Sequence, residues 1–286
     1  DPSDMPFKYH VYSKNLIEAK KLTWMNQLLR RRQWKRYLRK ELTKDYDLLI
    51  TQNDLAPASV GVEKSYDIPS IYLTSSLALT GYEKYDQSCG HLSNLYRSDF
   101  GGLIQYPFLW KNFHDYKQAA QHASRTRASS NFASDKLAEL FGASSTVIYP
   151  PIDIDQYRVS YDETGYITMV NPRAAYKGAD IFLDIAKEKS DEQFLLVGSI
   201  SSSQIRETAE AMTNVTHWEW RDDIRDAYSA SKLIIAPSRV EETFGRVPAE
   251  AMVSGIPCVV SNRGGLPEVV GNTGEIVYEI ESLDNW

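Results

Sequence analysis

Cysteine is nearly absent from this 286-residue chain: Cys89 and Cys258 are its only two, and they stand far apart in sequence. That excludes a disulfide framework and a thiolate metal site, and makes a reducing, cytoplasmic setting the expectation. Histidine is sparse too. The five, His10, His91, His114, His122 and His217, fall at no spacing that suits a metal or a catalytic triad, so they read as structural. No apolar run approaches the ~20 residues that a membrane helix needs. The opening DPSDMPFKYH lacks the charged-then-apolar layout of a secretory signal. Internal repeats and low-complexity tracts are missing as well.

What is present is a sizeable globular composition, 42% hydrophobic and 24% charged, over a length that suits two moderate domains. The net charge of −6 conceals an asymmetry. Between Lys20 and Lys40 lie nine basic residues and no acidic one, which leaves −15 on the remainder. Trp24, Leu28, Leu38 and Leu42, with Trp34 and Tyr37 nearby, recur there at spacings close to helical, so the segment reads as an amphipathic helix with a basic face. Such a face suits either an anionic membrane surface or plain solvent over a helix packed on its own domain. The acidic remainder disfavours nucleic acid.

Short β-branched runs alternate with helical segments along the rest of the chain. YDLLIT, SIYLT, RTRASS and STVIYP mark strands in the first half; YITMV, QFLLVG, NVTHW, LIIAPS and PCVVS mark them in the second. Alternation of this kind implies right-handed crossovers and parallel sheets covered on both faces, hence an α/β protein of two doubly wound domains. The prolines in VIYPPIDIDQYR place the joint near 150–155, dividing the chain into 1–152 and 153–286. YRSDFGGLIQYPFLWKNFHDY is aromatic and irregular and reads as an ordinary packed loop in preference to a wall of an acceptor cleft, and Cys258 reads as a small core residue.

The most organised stretch is EETFGRVPAEAMVSGIPCVVSNRGGLPEVV, Glu241 to Val270. Its first residues follow the strand LIIAPS and so form a loop at the carboxyl end of a parallel strand, where open α/β sheets bind ligands. Gly245 lets the backbone approach a ligand, and Pro248 reads as the first residue of a helix that Gly255 and Pro257 end. Free amides at a helix start suit phosphate. Glu242 before the helix and Glu250 in its first turn then suit neutral hydroxyl groups, because a carboxylate beside phosphate would repel it. NPRAAYKGAD, after the strand YITMV, brings Arg173 and Lys177 to the same sheet edge as a cationic counterpart.

These residues resemble the donor site of retaining glycosyltransferases of family four, whose fold is GT-B: two Rossmann-like domains facing across a cleft. Glu242 and Glu250 match that family's E-x7-E motif. The resemblance covers the second half well and the first thinly. It implies a nucleotide-diphosphate sugar such as a UDP- or GDP-sugar as donor, a glycan, glycolipid or other hydroxyl compound as acceptor, and no metal or cofactor. Arg173 and Lys177 would meet the diphosphate, Glu242 the transferred sugar and Glu250 the ribose. Phe244, Gly245, Arg246 and Val247 would meet sugar and phosphates, while Gly264, Gly265 and Glu268 would line the same cleft and Trp220 and Arg221 would lie near the base. The family's glycine loop after the first strand and its helices beyond GEIVY have no counterpart here, so the first domain is expected to be incomplete at its start and the second at its end. Ser75 and Ser76 stand where many members have histidine, so no first-domain residue is carried over.

Two other readings compete. A non-catalytic GT-B paralogue, acting as a scaffold for an active enzyme, is favoured by the missing histidine and glycine loop and opposed by the intact glutamates. Another GT-B chemistry, epimerase or phosphorylase, is opposed by the E-x7-E spacing and by the lack of a lysine in a pyridoxal context.

Overall fold

The structure, a computed structural model, describes residues 23–42, 46–80, 82, 100–173 and 175–286. Its described strands form two wholly parallel sheets. The first runs β1 (Leu49–Gln52), β2 (Ser70–Leu73), β3 (Arg125–Ala128), β4 (Thr146–Val147), adjacent in that order. The second contains β5 (Tyr166–Val170), β6 (Phe194–Val197), β7 (Val215–Trp218), β8 (Ser231–Ala236), β9 (Cys258–Ser261) and β10 (Glu275–Val277). Its spatial order is β10-β9-β8-β5-β6-β7, so the winding reverses between β5 and β8, the topological switch point of a doubly wound sheet.

Helices cover these sheets: α1 (Thr23–Glu41), α2 (Leu55–Ser59), α3 (Glu63–Tyr66), α4 (Phe100–His122) and α5 (Asn131–Phe141) in the first half; α6 (Ile154–Tyr157), α7 (Ala179–Glu188), α8 (Ser203–Ala211), α9 (Arg225–Ser229), α10 (Arg246–Met252) and α11 (Leu266–Val270) in the second. Because both faces of the second sheet are covered, its inner strand β6 reads FLLV with every residue buried. Each such side chain contributes about 1.5–3 kcal/mol relative to an exposed one. Cys258 lies in this core, where burial pushes its thiol up to about 12.

Two sequence expectations need correction. Of the stretch 96–116 expected to be a loop, 96–99 lie outside the described residues and the rest belongs to the helix α4, with Pro107 inside it. Leu109, Phe113, Tyr116 and Ala120 are buried at helical spacing, and the aromatic and glycine content had masked that period. The basic helix exists as α1, but its inner face is not the apolar one expected. Asn26, Gln27 and Arg31 are buried together with Leu38 and Leu42. The Arg31 guanidinium reaches Asp54 at 3.3 Å and Asp115 at 3.4 Å, bonds Asn112, and lies 4.7 Å from the Tyr116 ring centre. These partners come from sequence-distant α4 and the turn before α2, and a buried guanidinium is retained only with such pairing. Arg32, Arg36, Arg39 and Lys40 face outward. Lys20 and Lys21 lie outside the described residues. No helix among the described residues is long and apolar enough to cross a membrane.

Candidate functional site

A cavity of about 440 Å³ opens at the switch point. Met169, Val170 and Asn171 from the end of β5 and Ile235 to Ser238 from the end of β8 form its base. Ser75, Arg127 and Ser129, at or just beyond the carboxyl ends of β2 and β3, contribute from the first domain.

Two loops carry the charged groups, and backbone packing holds them together. Gly178, at φ +78, precedes α7 so closely to β8 that a Cβ there would stand 2.0 Å from the Pro237 carbonyl oxygen. The Arg239 amide donates to the Tyr176 carbonyl at 2.8 Å. Between these contacts Lys177 meets Glu242: Nζ to Oε1 is 2.5 Å, and both side chains line the cavity about a quarter exposed, at 23% and 25%. Arg239 anchors the loop base by pairing with Asp180 of α7 and Glu281.

Phe244, Gly245, Arg246 and Val247 line the cavity as well. The helix starts earlier than expected. Gly245, at φ +113, is the residue before α10, so Pro248 occupies the third helical position, where its missing N–H still leaves no intrahelical bond unmade. Glu250 is buried in α10, 8% exposed, and does not itself line the cavity. Its Oε2 accepts from the Tyr228 hydroxyl at 2.8 Å and its Oε1 from Arg246 Nε at 2.9 Å, while Arg246 Nη2 donates to the Tyr157 hydroxyl at 3.1 Å. Burial, then the adjacent Glu250 charge, raises the Tyr228 phenol far above its ordinary value, so it stays a hydrogen-bond donor to that carboxylate.

Six residues expected in or near the cleft stand elsewhere. Arg173 is exposed and absent from the cavity lining: Asn171, at φ +63, and buried Pro172 turn the chain, and Ser201 N–H holds the Arg173 carbonyl at 3.0 Å. Gly264 and Gly265 support the Glu242 loop from behind, Gly265 N–H donating to the Glu242 carbonyl at 2.6 Å. Glu268 reaches across to the first domain. It accepts from the backbone N–H of Asn131 at 2.9 Å and of Phe132 at 3.2 Å, at the start of α5, and from the Tyr149 hydroxyl at 2.7 Å. Trp220, 62% exposed, packs over Gly198, and Arg221 covers the Trp218 ring at 4.4 Å; neither Trp220 nor Arg221 lines the cavity.

Further contacts join the domains around the same loop. Ser129 and Ser130 hydroxyls donate to the Thr243 carbonyl at 3.0 and 2.6 Å, the Thr243 hydroxyl donates to the Ser75 carbonyl at 3.0 Å, and the Tyr82 hydroxyl bonds Glu241. Sequence reasoning missed Ser75, Arg127, Ser129, Tyr228 and Ser238. The rule that found Lys177 and Glu242, carboxyl ends of parallel strands, applies equally to Arg127 and Ser129.

Glu268 yields a prediction. Burial raises its carboxyl, but the bonds from Asn131, Tyr149 and Phe132 outweigh burial and hold it below the ordinary 4.5. Because its folded value is depressed, its contribution is full above the unfolded value and lost as pH falls through the folded one. Glu268→Ala is expected to lower unfolding free energy by about 1–2 kcal/mol at neutral pH, with Glu268→Gln losing less; urea melts at pH 7 and pH 4 measure both, and the deficit shrinks at the lower pH.

Residues 164–285 match the family described as Glycosyl transferases group 1. Among solved structures, Anabaena HepE in complex with UDP-glucose superposes with a TM-score of 0.65 at 20% identity, covering 85% of this chain and 67% of that one. Sucrose-phosphate synthase from Thermosynechococcus elongatus gives 0.70 at 18% identity, covering 94% and 69%. The fold is therefore that of the GT-B glycosyltransferases, two parallel-sheet α/β domains. The matched residues 164–285 lie in the second of them.

Curated relatives include N-acetyl-alpha-D-glucosaminyl L-malate synthase of Bacillus anthracis, 30% identical over 127 residues, 42% of this chain and 33% of that protein. D-inositol 3-phosphate glycosyltransferase of Rhodococcus opacus is 29% identical over 194 residues, 56% of this chain and 43% of that protein. The chain thus spans less than half the length of either relative.

Proposed function

We propose that this chain is a retaining glycosyltransferase of the family-four kind, moving a sugar from a nucleotide-diphosphate sugar to an acceptor hydroxyl without a metal. The two lobes, 1–152 and 153–286 on this reading, close over the donor. The observation that carries it is the Lys177–Glu242 pair in a cavity at the switch point, with Glu250 buried eight residues on. Ser238 adds support: the residue lines that cavity, and its buried hydroxyl has no hydrogen-bond partner among the described residues. The UDP-glucose held by the similar HepE fold favours the same ligand class.

Chemistry follows from leaving-group charge. Breaking the anomeric bond leaves negative charge on the diphosphate; Lys177, released from Glu242 as the donor enters, meets it. One such preorganised interaction lowers a barrier by about 2.7–4 kcal/mol. Glu242 then accepts from hydroxyls of the transferred sugar. Glu250 grips the ribose by the oxygen that Arg246 now holds, while Tyr228 keeps the other oxygen fixed. The acceptor hydroxyl attacks from the face the diphosphate leaves, and the departing diphosphate takes its proton. Arg32, Arg36, Arg39 and Lys40 on the outer side of α1 would rest against an anionic membrane on its cytoplasmic face; recovery on anionic but not neutral liposomes supports that placement, and equal recovery ends it.

The test is thermal shift with UDP, GDP, ADP and their sugars. One nucleotide is expected to raise the melting temperature, by an amount equivalent to about 2.7 kcal/mol at a hundred times its Kd, and Glu250→Ala to weaken that ligand tenfold or more. A flat response of the wild type to every nucleotide overturns the reading.

A further inference from the structure

Three cations line the cavity: Arg127, Lys177 and Arg246. Two of them are matched by carboxylates, Lys177 by Glu242 at 2.5 Å and Arg246 by Glu250 at 2.9 Å. Arg127 is not matched. Its carbonyl accepts from Thr74 N–H at 3.0 Å, but no hydrogen bond or ion pair reaches its guanidinium among the described residues. The residues that share the first-domain side of the cavity with it, Ser75 and Ser129, bring hydroxyls and no acid.

Arginine on β3 stands beside two residues whose side chains are buried, Thr126 and Ala128, and its own side chain is partly drawn out of water at the cavity. Burial lowers its pKa, yet a guanidinium remains charged in any protein environment. A charge held in a cleft without a partner is unfavourable until an anion arrives. The guanidinium fork fits a phosphate or carboxylate through two parallel hydrogen bonds.

Resting on the donor reading above, we infer that Arg127 binds the anionic group of the acceptor, which is a hydroxyl compound carrying a phosphate or carboxylate. The donor's diphosphate has its cation in the second domain, at Lys177. Arg127 belongs to the other lobe and places its charge where an acceptor would enter, so its anion is a second one. Ser75 and Ser129 complete a polar rim beside it.

The test uses the wild type, Arg127→Gln and Arg127→Lys, each saturated with the nucleotide diphosphate found in the thermal-shift panel. Inorganic phosphate and glucose 6-phosphate are then titrated, with glucose as the uncharged control. The wild type is expected to gain further stabilisation from both phosphates and none from glucose. Arg127→Gln should bind the phosphates at least tenfold more weakly and Arg127→Lys should recover part of that loss, while nucleotide affinity stays within twofold in all three. Nucleotide binding by the variants is also the control for folding. No phosphate response in the loaded wild type overturns the inference, as does an equal response in Arg127→Gln. A parallel fall in nucleotide affinity overturns it too, by assigning Arg127 to the donor. If no nucleotide binds the wild type, the donor reading fails by itself; the same phosphate titration on the unloaded proteins still compares Arg127 with its variants.

Discussion

Lys177→Ala is expected to lower the proposed sugar transfer by about 10²–10³-fold, the loss typical of removing one group that stabilises developing charge. The decrease should fall on kcat more than on KM, because the diphosphate gains its extra charge only as the anomeric bond breaks. The substitution also leaves Glu242 alone in a cavity it now shares with its 2.5 Å partner. Glu242→Gln and Lys177→Ala together should therefore cost less than the two separate losses combined, since each single change strands the other group. Lys232 provides the control. It also pairs with a carboxylate, Glu192, but at the beginning of β8 rather than at its carboxyl end. Lys232→Ala should leave transfer unchanged. Full activity in Lys177→Ala removes the leaving-group role from this residue.

Gly264→Ala is expected to abolish the proposed nucleotide binding from a position outside the cavity lining. Gly264 has φ +62, and a Cβ there would stand 2.2 Å from the backbone oxygen and 2.4 Å from the backbone nitrogen of Glu242. Backbone atoms cannot rotate aside as a side chain does, so the Glu242 loop must move and the bond from Gly265 N–H to the Glu242 carbonyl must stretch. Strain in the left-handed region and overpacking together cost at least about 2 kcal/mol. Gly255→Ala separates the two effects. Its φ is +72, but nothing lies within 4 Å of the added Cβ, so only the conformational cost of about 1 kcal/mol applies and the site survives. Urea melts and a nucleotide titration on both variants read the difference; retained binding in Gly264→Ala would show that the loop tolerates displacement.

The second sheet could be read from the sequence because its strands are short, continuously apolar and bounded by Pro and Gly, as YITMV and PCVVS show. The Lys177–Glu242 neighbourhood could be read for a related reason: both residues follow strands whose carboxyl ends must converge in a parallel sheet. What escaped depends on partners far along the chain. Arg31 turns inward only because Asp54, 23 residues on, and Asp115, 84 residues on, meet it. Glu268 looks like a cleft residue by its place in NRGGLPE, but its carboxylate goes to Asn131, 137 positions earlier. Arg173 and Lys177 appear equivalent in a string of letters, and only the turn at Asn171 and Pro172 sends them in different directions. Arg127 was hidden inside a strand pattern, where alternation says which side a residue faces but not that one side opens on a cavity.

The opening turn of α5 draws on both lobes. Ala133 N–H is capped by Ser130 within its own lobe at 3.0 Å, whereas Asn131 and Phe132 N–H depend on Glu268 from the other. A hinge rotation that parted the lobes would therefore uncover two amides and leave their neighbour protected. Ser130 would at the same moment lose its grip on Thr243, the residue next to Glu242. The Glu242 loop and the first turn of α5 thus share one set of contacts between the lobes, and neither can loosen alone.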